Sequence, residues 1–199
     1  MPPPDELTAE LCARAARWVV DEGMDYPGAK RRAQRELGQQ AARMELPSNE
    51  AVEDAVREHI ALFHADTQPG ELRALRELAL HWMARLAEFR PHLGGAAWRG
   101  TATRLSDLRI DLYCDDPKAT EIEFLNQGID FDSHDAPGDA QVVLTVHAPC
   151  RALGETVGVH FLIHDHDALR GALKPDTRGR SWRGDAAALR RLLAQDDTP

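Results

Sequence analysis

The chain has 199 residues, 43% hydrophobic and 29% charged, with 24 Lys and Arg against 33 Asp and Glu and a formal net charge of −9. That is a globular composition with enough chain to bury a sizeable core, in one domain or two small ones, and its acidic balance argues against a protein that coats nucleic acid or an anionic membrane by charge alone. No segment approaches the roughly 18 consecutive apolar residues of a membrane span, and Met1 to Glu6 lacks the basic start and apolar run of a signal peptide, so the expected address is cytoplasmic.

Four helices are expected in the first ninety residues. Leu7, Leu11, Ala15, Trp18 and Val19 recur at three and four between Asp5 and Glu22, and Gly23 ends that stretch. A second helix begins at Pro27 and runs to about Arg43, weakened at Gly38, with Lys30, Arg31, Arg32 and Arg35 forming a basic outer face. That face is a solvated surface or a phosphate contact. The third begins at Ser48 or Asn49, either of which can cap it, and carries Val52, Val56, Ile60 and Phe63. Thr67 to Gly70 break it, and a fourth helix from about Glu71 to Arg90 is stopped by Pro91.

After His92 the period changes from helical toward strand, which puts a boundary between a helical region, 1–92, and a mixed α/β region, 93–199. Leu108 to Cys114 alternates as a strand, and Asp115-Asp116-Pro117 opens a helix that Gly128 closes. Ile129 to Asp132 reads as a short strand and Ser133 to Asp139 as a loop. Gln141 to His147 and Thr156 to Ile163 read as strands able to form a hairpin. A helical turn near Asp167, a loop from Lys174 to Gly184 and a helix on Leu189, Leu192 and Leu193 complete the chain, with a frayed acidic tail. The fold class expected is α+β.

The stretch that carries chemistry is Gly95-Ala96-Ala97-Trp98-Arg99-Gly100-Thr101-Ala102-Thr103-Arg104-Leu105-Ser106-Asp107-Leu108-Arg109-Ile110-Asp111-Leu112. It resembles the signature of the polymerase-β-like nucleotidyltransferase superfamily, a Gly-Ser turn leading through an Arg-Gly-Thr-Ala-Thr-like loop into a Ser-Asp-x-Asp strand. The resemblance implies a helical part packed on a mixed α/β core, a nucleoside triphosphate held at the turn, and Mg2+ held by two strand carboxylates and a third from a later strand. Carboxylates two apart on a strand face one side and can grip two ions that stabilise attacking and leaving oxygens.

The pattern is half kept. Gly95 matches the family glycine, but Ala96 stands at the serine. Asp107 matches the first carboxylate, Arg109 stands at the second, and the third falls at Thr145 on the Val142 to Val146 strand. Asp111 lies on the face of Asp107 but roughly 13 Å along a regular strand, too far to share ions without a bulge. Taking Gly100-Thr101 as the Gly-Ser turn shortens the connection but loses the Arg-Gly-Thr-Ala-Thr match. The candidate catalytic residues are Asp107 and Asp111, with Asp107 the metal ligand, and Gly95, Arg99, Gly100, Thr101, Ser106 and Arg109 are the candidate cofactor-binding residues.

Among the remaining residues, His160, His164 and His166 share a face if their strand continues, and with Asp165 and Asp167 offer zinc or iron ligands, although a strand end turning into a capped helix accounts for them as well. His59, His64 and His81 read as core-edge or solvated. The tryptophans read as packing residues, with Trp98 able to lie over a ligand. Cys12, Cys114 and Cys150 form no ligand or disulfide pattern and are expected to be reduced and mostly buried. No GxxxxGK[ST] occurs, which excludes ligases of the Mur type that require a P-loop.

Three functions follow as expectations. The first is a nucleotidyltransferase-like protein with an eroded metal site, a non-catalytic module binding nucleotide, RNA or a protein. The second is an active nucleotidyltransferase with an atypical metal site, which requires another carboxylate, such as Asp130 or Asp132, beside Asp107. The third is a protein-interaction scaffold working through its helical half.

Overall fold

The computed structural model describes residues 4–136, 138–176 and 178–196; the last three residues of the acidic tail lie outside them. The fold is α+β, as the element string predicts. The chain divides into two compact units, 1–69 and 70–199, so the expected boundary at residue 92 falls inside the second.

The first unit holds α1 (Pro4–Glu22), α2 (Tyr26–Glu36) and α3 (Asn49–Phe63). Leu11, Ala15, Ala16, Val20, Ala29, Ala33, Val52, Val56 and Ile60 form its core, and the alanines of α2 let its backbone lie close to its neighbours. Asp25 caps α2 by accepting from Gly28 N (3.0 Å), and Ser48 caps α3 by accepting from Ala51 N (3.1 Å). Helix α2 ends at Glu36, short of Arg43, because the chain passes into a 3-10 turn at Gly38–Gln40 with Gly38 at φ 69°. Its basic face is partly engaged within the unit. Lys30 donates to Pro47 O (3.1 Å) and Asn49 Oδ1 (2.8 Å), and the Arg32 guanidinium lies 3.6 Å from the centre of the Trp18 rings.

The second unit begins in the first turn of α4 (Gln68–Arg85). Pro69 and Gly70, expected to break a helix, stand where proline is tolerated because the first-turn N–H has no helical partner. Then come β1 (His92–Gly94), α5 (Gly95–Arg99), β2 (Leu108–Cys114), α6 (Pro117–Asn126), β3 (Asp132–Asp135), β4 (Val142–Cys150), β5 (Glu155–Asp165), α7 (Leu169–Ala172), β6 (Arg183–Asp185) and α8 (Ala186–Asp196). Asp116 caps α6 by accepting from Lys118 N (2.9 Å). Ile129, read as a strand residue, instead closes α6: its N–H bonds to Phe124 O (2.9 Å) beyond Gly128 at φ 64°. That is the Schellman geometry with its apolar contact, and it moves the strand to Asp132–Asp135.

The six strands form one sheet in the order β3-β4-β5-β2-β1-β6, with β2 and β5 parallel and the other pairs antiparallel. The β4–β5 hairpin forms as expected. Period-two alternation gives the sheet an apolar face, including Leu93, Leu108, Ile110, Leu112, Leu144, Phe161 and Ile163, which packs with Leu75 and Met83 of α4, Leu86 just after it, Phe124 of α6, and Leu189 and Leu193 of α8. Trp82 and Phe124 both meet Phe161 edge-on, at 5.5 and 5.2 Å.

Gly184 of β6 is fixed by the ring of Trp98, since a Cβ there would lie 2.0 Å from Cη2. Gly184→Ala is therefore expected to destabilise the second unit by roughly 1–3 kcal/mol through overpacking. Gly70→Ala, in a helical position with nothing within 4 Å of the added Cβ, is expected to be neutral or to stabilise by up to about 1 kcal/mol. Urea unfolding followed by tryptophan fluorescence measures both.

Candidate functional site

The second face of the sheet collects the residues that the core rejects. Along β2 and the residue before it, Asp107, Arg109, Asp111 and Tyr113 alternate with Leu108, Ile110 and Leu112, and the register sets Arg109 beside His160 and Tyr113 beside His164 of β5. The antiparallel register with β1 adds His92 opposite Asp111, and that with β6 sets Arg183 opposite Gly94.

Asp107, just ahead of β2, accepts from His160 Nε2 through Oδ2 (3.1 Å) and from Gly158 N through Oδ1 (3.1 Å). The other ring nitrogen of His160 meets Thr145 Oγ1 at 3.0 Å, a chain of hydroxyl, imidazole and carboxylate. The hydrogen bond from His160 holds the Asp107 carboxyl below the usual range against the opposing effect of burial, with help from the Gly158 N–H. The strand beside β2 is thus β5, and what it brings to Asp107 is an imidazole. Thr145 lies one strand further away, on β4.

Asp111 is 1% exposed. Its Oδ1 accepts from His164 Nε2 (3.1 Å) and from Nε and Nη2 of Arg109 (both 3.3 Å), and Arg183 Nη1 stands 2.9 Å from Oδ2 while donating to Tyr113 Oη at 2.7 Å. Burial alone would raise the Asp111 pKa; the hydrogen bond from His164 and the charges of Arg109 and Arg183 outweigh it and hold the carboxyl below its ordinary value. Burial and the Asp111 charge push the Tyr113 hydroxyl up. The register of β2 on β5 is continuous from Leu108 to Cys114, so no bulge draws Asp111 toward Asp107, and the two candidate carboxylates remain apart.

The expected nucleotide turn is helical from Gly95 to Arg99. Gly95 takes φ 64°, and a Cβ there would lie 3.7 Å from Arg109 Cβ, so this glycine sits against the arginine of the strand. Gly100 ends α5 at φ 82°. Thr101 is buried with an unbonded hydroxyl, and Ser106 Oγ accepts from Thr103 N (3.0 Å) to close the loop. Arg99, a candidate phosphate ligand, is turned into the protein: its side chain is 6% exposed and both Nη atoms donate to Asp176 Oδ2, at 3.1 and 3.0 Å. Asp176 also accepts from the backbone N–H groups of Arg178 (2.9 Å) and Arg180 (2.8 Å). Burial would raise its pKa, but these hydrogen bonds and the Arg180 charge lower it to about 2. Trp98, read as free to cover a ligand, donates from Nε1 to Ser181 O (3.0 Å). Helix α5 and the segment from Asp176 to Trp182 are therefore bolted together.

Where β2 and β5 end, a cleft of about 530 Å³ opens, lined by Tyr113, His164, Lys174, Trp182 and Arg183 with Asp139 and Asp167. His164 stacks on Tyr113 (5.3 Å) and is 1% exposed, yet its Nδ1 makes no hydrogen bond, with Asp139 Oδ1 3.8 Å away. The cleft thus offers cations, aromatic surface and one unsatisfied buried imidazole nitrogen.

No protein-family model, curated protein or solved structure matches the chain.

Of the two readings of the late histidines, the strand end turning into a capped helix is the one that forms, with Asp165 accepting from Asp167 N (2.8 Å); His160 belongs to Asp107, His164 to Asp111, and His166, in the 3-10 turn after β5, contacts Arg90. Asp132, the alternative carboxylate, sits on β3, three strand spacings or roughly 14 Å from β2, and Asp130 lies in the coil before it. Tyr113, Lys174 and Arg183 escaped sequence reasoning. Tyr113 was findable as the next residue on the Asp107-Arg109-Asp111 face. Arg183 was not, since a three-residue edge strand has no period of its own.

Because Arg183 meets a buried carboxylate whereas Arg109 is half exposed, Arg183→Ala is expected to cost about 3 kcal/mol and Arg109→Ala under about 1 kcal/mol, measured by denaturant unfolding. Asp176 gives a pH test. Its pKa is lowered in the folded state, so its contribution is complete above the ordinary value near 4 and is lost as pH falls toward 2. The stability difference between the protein and Asp176→Asn should be constant from pH 7 to 5 and shrink as pH falls from 4 to 2.

Proposed function

We propose that the second unit is a nucleotidyltransferase-like module that binds a nucleotide without transferring it, with the ligand in the cleft at the ends of β2 and β5. One observation carries this reading: the motif's only exposed carboxylate, Asp107, is bound by His160 and the Gly158 N–H, and the second carboxylate position is a cation, Arg109. Two magnesium ions need carboxylates to offset their charge. Here one is offered, and among the described residues no three His, Cys, Asp or Glu side chains converge on this face to hold an ion. The residues present do not fit the two-metal centre that the family resemblance implies.

What remains suits an anion with an aromatic base. Arg109 and Arg183 both pair with Asp111, so cations lead from the Gly95 turn to the cleft, where Lys174 adds a third. Phosphate oxygens take the place of metal-bound oxygens as partners of these cations, and the base stacks on the exposed ring of Trp182, a contact worth about 1–3 kcal/mol. His164 Nδ1 supplies a hydrogen-bonding position for the sugar or base. Open α/β sheets bind ligands outside the carboxyl ends of their parallel strands, and the cleft is at that end of β2 and β5. A single-stranded RNA end satisfies the same chemistry, and the test separates the two.

Calorimetric titration of the four nucleoside triphosphates, with magnesium and with EDTA, tests the proposal. Binding should be equal in both, weakened roughly tenfold by Lys174→Ala or Trp182→Ala, and little changed by Asp107→Ala. Magnesium-dependent binding that Asp107→Ala abolishes, with pyrophosphate released, overturns it in favour of an active transferase. An oligoribonucleotide bound where no mononucleotide binds makes RNA the ligand. No binding of either overturns the nucleotide reading and leaves a protein-interaction scaffold.

A further inference from the structure

We propose that the helical unit carries a site for a divalent transition-metal ion of the zinc type, formed by Asp21, His59 and His64. Asp21 stands in the last turn of α1, His59 in α3, and His64 at the residue that ends α3. Asp21 Oδ1 lies 3.1 Å from His59 Nε2 and 3.0 Å from His64 Nε2, and the three ligand atoms all lie within 4.8 Å of one another. Among the described residues this is the one group of three side chains with that convergence.

The spacing explains why it was invisible in the sequence. Residues five apart on a continuous helix point about 140° away from each other, which is why His59 and His64 read as separate flanks of an apolar stripe. His64 has left the helix, at φ −130° and ψ 17°, and this turns its ring back toward Asp21. The turn is held by its own backbone: His64 N donates to Ile60 O (2.8 Å), and His64 O accepts from Thr67 N (3.2 Å) and Gln68 N (2.9 Å). On the other side the site rests on the packed core of Val20, Val56 and Ile60, so both helices present their ligands from fixed backbone.

The donor set selects the ion. Two imidazoles and one carboxylate are borderline donors that favour zinc and its transition-metal neighbours over magnesium or calcium, which take oxygen ligands. Tetrahedral bonds of about 2.0–2.1 Å separate ligand atoms by roughly 3.4 Å, so the pairs to Asp21 at 3.1 and 3.0 Å need open by only a few tenths of an ångström, while the two imidazole nitrogens, within 4.8 Å of each other, must come to the same separation. His59 is 14% exposed at its side chain, while His64 and Asp21 are about one-third exposed. The fourth position therefore faces solvent and takes water or an exogenous ligand.

The test uses the full, tag-free chain stripped with a chelator. Zinc titrated by calorimetry should bind at one equivalent, and cobalt(II) should give the visible absorption of a four-coordinate nitrogen and oxygen site. Magnesium should give neither. Asp21→Asn, His59→Ala and His64→Ala should each weaken zinc roughly tenfold or more, with helical content checked by circular dichroism. If His59→Ala unfolds the unit, His64→Ala decides, because that side chain is partly exposed and outside the helix proper. Absence of zinc binding overturns the proposal, as does zinc binding that survives all three substitutions. Neither result bears on the nucleotide cleft, which lies in the other unit and is read with EDTA present.

Discussion

A carboxylate at the centre of a sheet stays ionised only if neighbouring strands supply charges and donors that replace water, and the geometry around Asp111 follows from that requirement. His164 must come from β5, Arg183 from β6 and Arg109 from the strand of Asp111 itself. Strand β6 has three residues, too few to hold an edge by backbone pairing alone. Its arginine gives it a reason to be there, and Gly184 packed under Trp98 fixes its height. The segment before it, tied through Asp176 to Arg99, then has little freedom, and the cleft wall formed by Lys174 and Trp182 is placed as a consequence.

The same carboxylate explains why this face of the sheet is unsuited to metal. A buried charge already balanced by two arginines is a poor ligand for an ion, because the cations that neutralise it repel one. Asp107 is more exposed, but its two oxygens are each occupied, one by an imidazole and one by a backbone N–H. Arg183 and Lys174 line the cleft together with Asp139 and Asp167.

Periodicity made most of the scaffold legible. The alternation of Leu108 to Cys114 gave β2, Pro117 and Gly128 bracketed α6, and Ser48 identified the start of α3. It failed where one residue type serves two purposes. Ile129 looked like the start of a strand because it is apolar and β-branched, yet its burial closes α6. Pro69 and Gly70 looked like a break because they are breakers in a helix interior, though not in a first turn. In the site, spacing set Asp107 and Asp111 four residues apart on one face. It could not say that β5 rather than β4 would lie alongside, since strand order is a tertiary choice. Arg99 matched a phosphate-binding pattern, and only the fold reveals that Asp176, 77 residues later, occupies it.

Among the described residues four histidine Nε2 atoms meet three aspartates, and the three sites differ in what else is present. At Asp111 the pair is buried and two arginines complete the charge balance, so the imidazole acts as a structural donor and its second nitrogen is left at the cleft wall. At Asp107 the second nitrogen is taken by Thr145 and the carboxylate by Gly158, which fixes a relay but leaves no group for an ion. At Asp21 the second partner is another imidazole, no arginine is paired with the carboxylate among the described ion pairs, and solvent reaches the group. An ion placed among these ligands replaces proton-mediated contacts with direct bonds and keeps the formal charge of the site low. Residue type alone makes the three sites look alike; the charge already present beside each carboxylate decides which can accept a cation.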